Sequence, residues 1–285
     1  MTNYSLGKLS AFAIHLPVYL NFTCCPRQGG TGMSSKRSKR NEESADDDLI
    51  ELDLEGFSPQ SEDRDGIIQL LRQHIPKDSN VNLGELADYI IAQGSVGTVV
   101  KNGSSETDTV EDDDDDIVFS LTTVISLCGS VVSRSSVVSE LRDFLQSCIS
   151  RAESSSPDYK TLLKVLMGET SEKPALLINE RLVNLPPAVA AEAVAVLPQE
   201  IQTLPEEERP THLIILTRAV KSEDTDELIY IQPEMEIVRK VAFAVGETEF
   251  ADIAVGVDAE SIIYVLMAID FSSLPEILDL LADNP

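Results

Sequence analysis

The sequence predicts an α/β fold in which a central mixed sheet is flanked by helices. Three observations predict it. About eight short segments carry strand patterning, either alternating or continuously apolar. Between them run stretches with apolar residues at helical spacing, bounded by caps, Gly or Pro. Hydrophobic residues make up 42% of the 285, enough for a real core, and no repeat of fixed period appears. Two domains would fit on length alone, but one α/β domain over 49–285 behind a disordered extension at 1–48 fits equally well and is expected.

The elements follow in order. Residues 1–48 read as flexible: a polar lead-in, then Lys36-Arg37-Ser38-Lys39-Arg40, then the acids Glu42 to Asp48. Order is expected to begin near Leu49. Residues Ile50 to Phe57 alternate apolar and acidic, which is a strand with one buried face. Ser58-Pro59 is read as the cap of a helix whose stripe is Ile67, Ile68, Leu70, Leu71 and Ile75, stopped by Pro76. Asn82 with Glu85 gives a capping-box-like start to a second helix, ended by Gly94. A short strand is expected at Val96 to Lys101. Asn102 to Asp116 is a loop of rising acidity that ends in five consecutive aspartates. Ile117 to Leu127 is a long central strand, with Ile117, Phe119, Leu121, Ile125 and Leu127 on one face and a mixed Ser/Thr face behind.

Val137 to Ile149 and Tyr159 to Leu166 read as two helices, the second opened by Ser156-Pro157 and closed by Gly168. Pro174 to Asn179 is a buried strand. Pro186-Pro187 opens an Ala/Val-rich helix that Pro198 is expected to kink or shorten. Strands are expected at His212 to Ala219, Glu227 to Ile231, about Arg239 to Val245, and Ser261 to Ala268. A final helix carries Ile277, Leu280 and Leu281 after a cap at Ser273 to Glu276.

Charge is the strongest compositional signal. The chain has 22 Lys plus Arg against 49 Asp plus Glu, a net −27. Residues 1–41 hold six bases and no acid, so the other 244 residues carry −33. Such an excess repels nucleic acid and anionic membrane and attracts cationic protein surfaces. The acids of Asp46, Asp47, Asp48 and of Asp112, Asp113, Asp114, Asp115, Asp116 are therefore the candidate partner-binding surface for a basic protein. Lys36, Arg37, Lys39 and Arg40 read as a nuclear localisation signal in an exposed context.

Motifs for chemistry fail on context. Arg27 to Gly32 matches the R-x-x-G-x-G pattern with which N-acetyltransferases cradle a pyrophosphate, but such a loop works between a strand and a helix N-terminus, and neither flanks it. The aspartate run lacks the mid-loop Gly and terminal Glu of a calcium-binding EF-hand loop. Cys128 and Cys148 read as buried free thiols, and three scattered histidines offer no zinc set. Ala11 to Phe22 is too short to span a membrane and is read as part of an unstructured extension rather than a signal peptide. Glu180-Arg181, between a strand and a Pro-Pro turn, is read as a surface ion pair or turn stabiliser. The chain is expected to be no enzyme and to use no cofactor or metal.

One long segment carries a resemblance. Lys173-Pro174-Ala175-Leu176-Leu177-Ile178-Asn179-Glu180-Arg181-Leu182-Val183-Asn184-Leu185-Pro186-Pro187 resembles the K-P-x-x-L-L-x-x-E-R-x-x-N-x-P-P signature of the BCCIP family. Its matching residues include Glu180, Arg181, Asn184, Pro186 and Pro187. Upstream, Asp65 to Leu71, Leu83 to Ile91, Gly94 to Lys101 and the acidic loop before Val118-Phe119 support it. The resemblance implies a fold like that of the GNAT acetyltransferases without their activity, and a eukaryotic nuclear protein that shuttles to the cytoplasm. It implies a chaperone or adaptor for a basic large-subunit ribosomal protein, acting in ribosome biogenesis and nuclear export with nuclear transport factors. Animal members imply a second possibility, a scaffold for cell-cycle or DNA-repair proteins. The region after Pro210 lacks the Gly-Lys-Trp element associated with those animal members.

Overall fold

A computed structural model describes residues 13–14, 54–103, 117–152, 158–169, 172–182, 185–222, 225, 227–249 and 262–282. They build one nine-stranded mixed sheet with helices on both faces. The strands are β1 (Ala13–Ile14), β2 (Leu54–Phe57), β3 (Thr98–Asn102), β4 (Ser120–Ser126), β5 (Pro174–Arg181), β6 (His212–Lys221), β7 (Leu228–Tyr230), β8 (Ala244–Glu249) and β9 (Ile262–Asp270). The helices are α1 (Arg64–His74), α2 (Leu83–Gln93), α3 (Gly129–Val132), α4 (Ser136–Ala152), α5 (Tyr159–Met167), α6 (Pro187–Ile201), α7 (Met235–Val241) and α8 (Leu274–Ala282).

The spatial order is β1-β2-β3-β4-β5-β6-β9-β8, with β7 paired to β6. Every pair is antiparallel except β5 with β6. The central strands read as continuous apolar runs because both of their faces are covered. In β9, Tyr264, Leu266 and Ala268 join a core with α1, α2, α4 and α5, while Ile263, Val265, Met267 and Ile269 join a second core with α6, α7 and α8. A small third cluster, Leu54, Val100, Phe119, Leu185 and Val189, closes the β2–β4 side.

Local punctuation explains the helix limits. The Asn82 Oδ1 accepts the N–H groups of Gly84 and Glu85 at 3.1 and 3.2 Å, while the Asn82 N–H itself donates to Glu140 of α4. Gly94 and Gly168 end α2 and α5 at φ 65° and 66°, where a Cβ would be strained. Pro187 takes the first position of α6, where no N–H is needed.

Several expectations are corrected. The first helix does not start from Ser58-Pro59. The chain enters it through a 3-10 turn at Ser61–Asp63, where the Asp63 carboxylate accepts the Gln60 N–H at 2.8 Å. Of the strand expected from Ile50, Leu54–Phe57 is a strand and 50–53 lie outside the described residues. β3 starts at Thr98, because Gly97 has φ 120°.

β4 is shorter than expected and its alternation slips before Ser120. Val118, not Phe119, joins Leu121 and Ile125, and Phe119 turns to the third cluster. The strand expected at Arg239 to Val245 divides into the end of α7 and the start of β8. Met235 and Val238 bury one helical face, and the Ala242-Phe243-Ala244-Val245 stretch that follows pairs as a strand only from Ala244. Pro198 does not shorten α6, which continues to Ile201, so its missing N–H falls in the last turn. The turn of helix α3 was not foreseen, and Cys128 beside it is half-exposed, whereas Cys148 is buried and its thiol is pushed up to about 12.

Candidate functional site

Glu180 and Arg181 are not a surface pair. They are the last two residues of β5, both are buried, and they point to opposite faces of the sheet and to different partners. The Glu180 Oε1 lies 2.9 Å from His74 Nδ1 of α1, and its Oε2 accepts from Gln232 Nε2 at 3.5 Å. The Arg181 guanidinium donates to both carboxylate oxygens of Glu234, at 2.6 and 3.2 Å, and its Nε donates to Leu185 O at 2.9 Å. Side-chain exposure is 6% at Arg181 and 4% at Glu234, so this ion pair is removed from solvent. The sequence placed Glu180-Arg181 at a strand end and took that for the surface; in the fold that end lies under Gln232 and Glu234.

The rest of the signature shapes one junction. Leu185 N–H donates to Leu182 O, Arg181 grips Leu185 O, Pro186 is extended and Pro187 begins α6. The segment therefore fixes where β5 leaves the sheet and at what angle α6 departs. Asn184 lies outside the described residues.

Beyond Leu177 and Ile215 the parallel strands β5 and β6 part. The carboxyl ends of parallel strands are where open α/β sheets commonly take ligands. Here the chain fills the space itself. Gln232 Nε2 donates to the free Asn179 O at 3.2 Å, and Glu234 meets Arg181. The apolar cavity left beside them, against Ala190, Val194, Met235 and Ile277, is about 40 Å³. That is about an eighth or less of what cofactor sites occupy, roughly 300–1,000 Å³.

A wider cleft of about 960 Å³ opens over β7 and β8, but its four cations, Arg151, Lys221, Arg239 and Lys240, face four carboxylates. Arg239 is committed to Tyr230 Oη and Glu247 Oε1, each at 2.9 Å, and burial pushes the Tyr230 hydroxyl up. Among the described residues no cluster of His, Cys, Asp or Glu could hold a metal.

The candidate partner-binding residues Asp46 to Asp48 and Asp112 to Asp116, and Lys36, Arg37, Lys39 and Arg40, lie outside the described residues, as does Arg27 to Gly32. Their points of attachment do not. Register pairs Leu54 with Asn102 and Ser120 with Arg181, so 42–53 enters the sheet beside the place where 104–116 leaves it. β6 ends and β7 begins at the same end, and β8 and β9 run antiparallel beside them, so 223–227 and 250–261 also attach there. Four separate segments thus leave one end of the sheet. Together they hold 22 of the 49 acidic residues and no Lys or Arg. Apart from the junction of β5 with α6 and the short path from β7 to α7, helices join the sheet at the opposite end.

The architecture defines a class: a helix-covered mixed sheet with a self-filled strand wedge and an acidic end. A model of the BCCIP family matches residues 49–241, and the chain belongs to that family. Protein bcp1 of Schizosaccharomyces pombe is 28% identical over 252 residues, covering 77% of this chain and 85% of its own. The BCCIP homolog of Drosophila melanogaster is 31% identical over 159 residues, and the human BRCA2 and CDKN1A-interacting protein 29% over 156; each match covers 54% of this chain. The chain spans about half the length of these two animal relatives, 52% and 48%. The crystal structure of BCP1 from Saccharomyces cerevisiae superposes with a TM-score of 0.59 at 20% identity, over 86% of this chain and 93% of that one, which shows the shared fold.

Proposed function

We propose that the chain is an acidic nuclear chaperone or adaptor that shields a basic protein, a large-subunit ribosomal protein in this reading, during ribosome biogenesis and export. The observation that carries it is the gathering of four acidic segments at one end of the sheet. Charge gathered in that way steers a cationic client and screens its attraction to RNA. Residues 49–285 act as one domain, to whose sheet Ala13–Ile14 adds an outer strand, and Lys36 to Arg40 direct the protein to the nucleus with transport factors, from which it shuttles to the cytoplasm. The fold is GNAT-like without acetyl transfer and without a cofactor; the filled wedge between β5 and β6 supports that part.

The experiment is affinity capture of the full chain from nuclear extract at stepped salt, read by mass spectrometry. Basic ribosomal proteins released as salt rises are the expected result. Salt-insensitive capture would remove the electrostatic account. A second reading has one observation in its favour, the name of the human relative: a scaffold in cell-cycle control or DNA repair. Capture of repair proteins or kinase inhibitors in place of ribosomal ones would select it. Titration of the chain with acetyl-CoA in a calorimeter should give no binding heat.

A further inference from the structure

We propose that the β6–β7 hairpin docks an extended basic segment whose apolar side chains rest on Ile229 and Ile231. This rests on the reading of a basic client and names the surface that holds it. β7 is Leu-Ile-Tyr, an edge strand with no charge of its own, although edge strands are ordinarily blunted by charged residues. Ile229 and Ile231 are 55% and 38% exposed. Ile229 is the outer end of a cross-strand row, Ile229–Val220–Ile262, whose inner members are half-buried.

The backbone offers a second kind of contact. Ile231 N–H donates to Arg218 O and Ser222 N–H to Glu227 O, so the alternate residues Leu228 and Tyr230 turn their N–H and C=O away from β6. Among the described residues β7 pairs with β6 alone. An added strand would use those groups and lay alternate side chains beside the isoleucines.

Charge complementarity chooses the occupant. Between β6 and β7 the chain carries Glu223, Asp224 and Asp226, which add to the four carboxylates of the neighbouring cleft and outnumber its four cations together with Arg218. Segment 250–261, with three acids and no base, enters the sheet at Ile262, the far end of the same row. A segment alternating basic and apolar residues meets both features; an acidic or purely polar one meets neither.

The test uses the full chain and two labelled peptides of equal charge, one alternating Lys and Val, the other Lys and Ser, followed by fluorescence anisotropy at low salt. The Lys-Val peptide should bind about tenfold more tightly, as expected for covering the exposed parts of two isoleucines. Ile229→Thr with Ile231→Thr keeps β-branched residues on the strand and should remove that preference while leaving Lys-Ser binding unchanged. Thermal melts of the two proteins should coincide, and Phe243→Ser, at another exposed apolar residue, should keep the preference.

Equal binding of both peptides, unaffected by the isoleucine variant, overturns this surface but leaves acidic capture standing. Binding of neither peptide overturns acidic capture itself. A dimer in sedimentation that the isoleucine variant dissolves overturns the proposal in favour of a second copy of this chain.

Discussion

At the scale of single residues the informative finding is that the most distinctive motif is internal. Arg181 and Glu234 form a two-pronged ion pair out of solvent, and Glu180 is held between His74 and Gln232. A buried pair contributes little net stability relative to apolar replacements, yet losing one partner leaves an uncompensated buried charge. Arg181→Met should therefore cost about 3–5 kcal/mol in urea unfolding, and Arg181→Met with Glu234→Met should recover much of it. Client affinity of the folded double variant should match the native chain. A selective loss of binding with unchanged stability would place Arg181 in the interface instead. None of this was legible in the sequence. His74 and Glu234 stand 106 and 53 residues from their partners, and a lone His or Glu in a polar stretch carries no local sign of burial.

At the scale of elements, the sequence was most legible where a backbone rule forces the outcome. Asn82, Gly94, Gly168 and Pro187 each mark a helix end for a steric or hydrogen-bonding reason that needs no tertiary partner. Legibility failed where two periods fit one run. Met235 to Val245 satisfies both helix and strand spacing, and only the packing of Met235 and Val238 against the second core decides it.

Tertiary support also fixes β3. Glu200 of α6 accepts the Gly97 N–H at 2.9 Å and the Thr98 hydroxyl at 3.3 Å, pinning the start of that strand. Burial holds the Glu200 carboxyl above its ordinary value despite those donors. A raised carboxylate favours the protonated folded state. Its contribution is present below the unfolded value and is lost as pH rises through the folded one. Glu200→Gln keeps an acceptor without the charge, so its stability relative to the native chain should improve as pH is raised from about 4 to about 7, upward from the ordinary carboxyl range. Urea melts at both pH values check it; a difference that moves the other way would mean the donors outweigh burial.

For the whole molecule, the net charge of −27 matters less than its distribution. The sequence showed the clusters but not their common attachment, because register alone sets the start of β2, where 42–53 joins, beside the end of β3, before 104–116. The same register sets the attachment points of 223–227 and 250–261 at that end. Opposite it stand exposed acids that composition counts equally: Glu206, Glu207, Asp270 and Glu276.

If bulk charge drives capture, removing any four acids weakens it equally. If the acidic end does, position decides, because screening at physiological salt confines attraction to about 8 Å. Changing Asp112, Asp113, Asp114 and Asp115 to Asn should weaken a basic client about tenfold and flatten the dependence of affinity on salt, through a slower association rate. Changing Glu206, Glu207, Asp270 and Glu276 to Gln or Asn should leave affinity within about twofold, since those charges lie beyond a screening length from the bound client. Stopped-flow association at several salt concentrations separates the two cases. Equal losses from both sets would reduce the acidic end to a contribution to solubility.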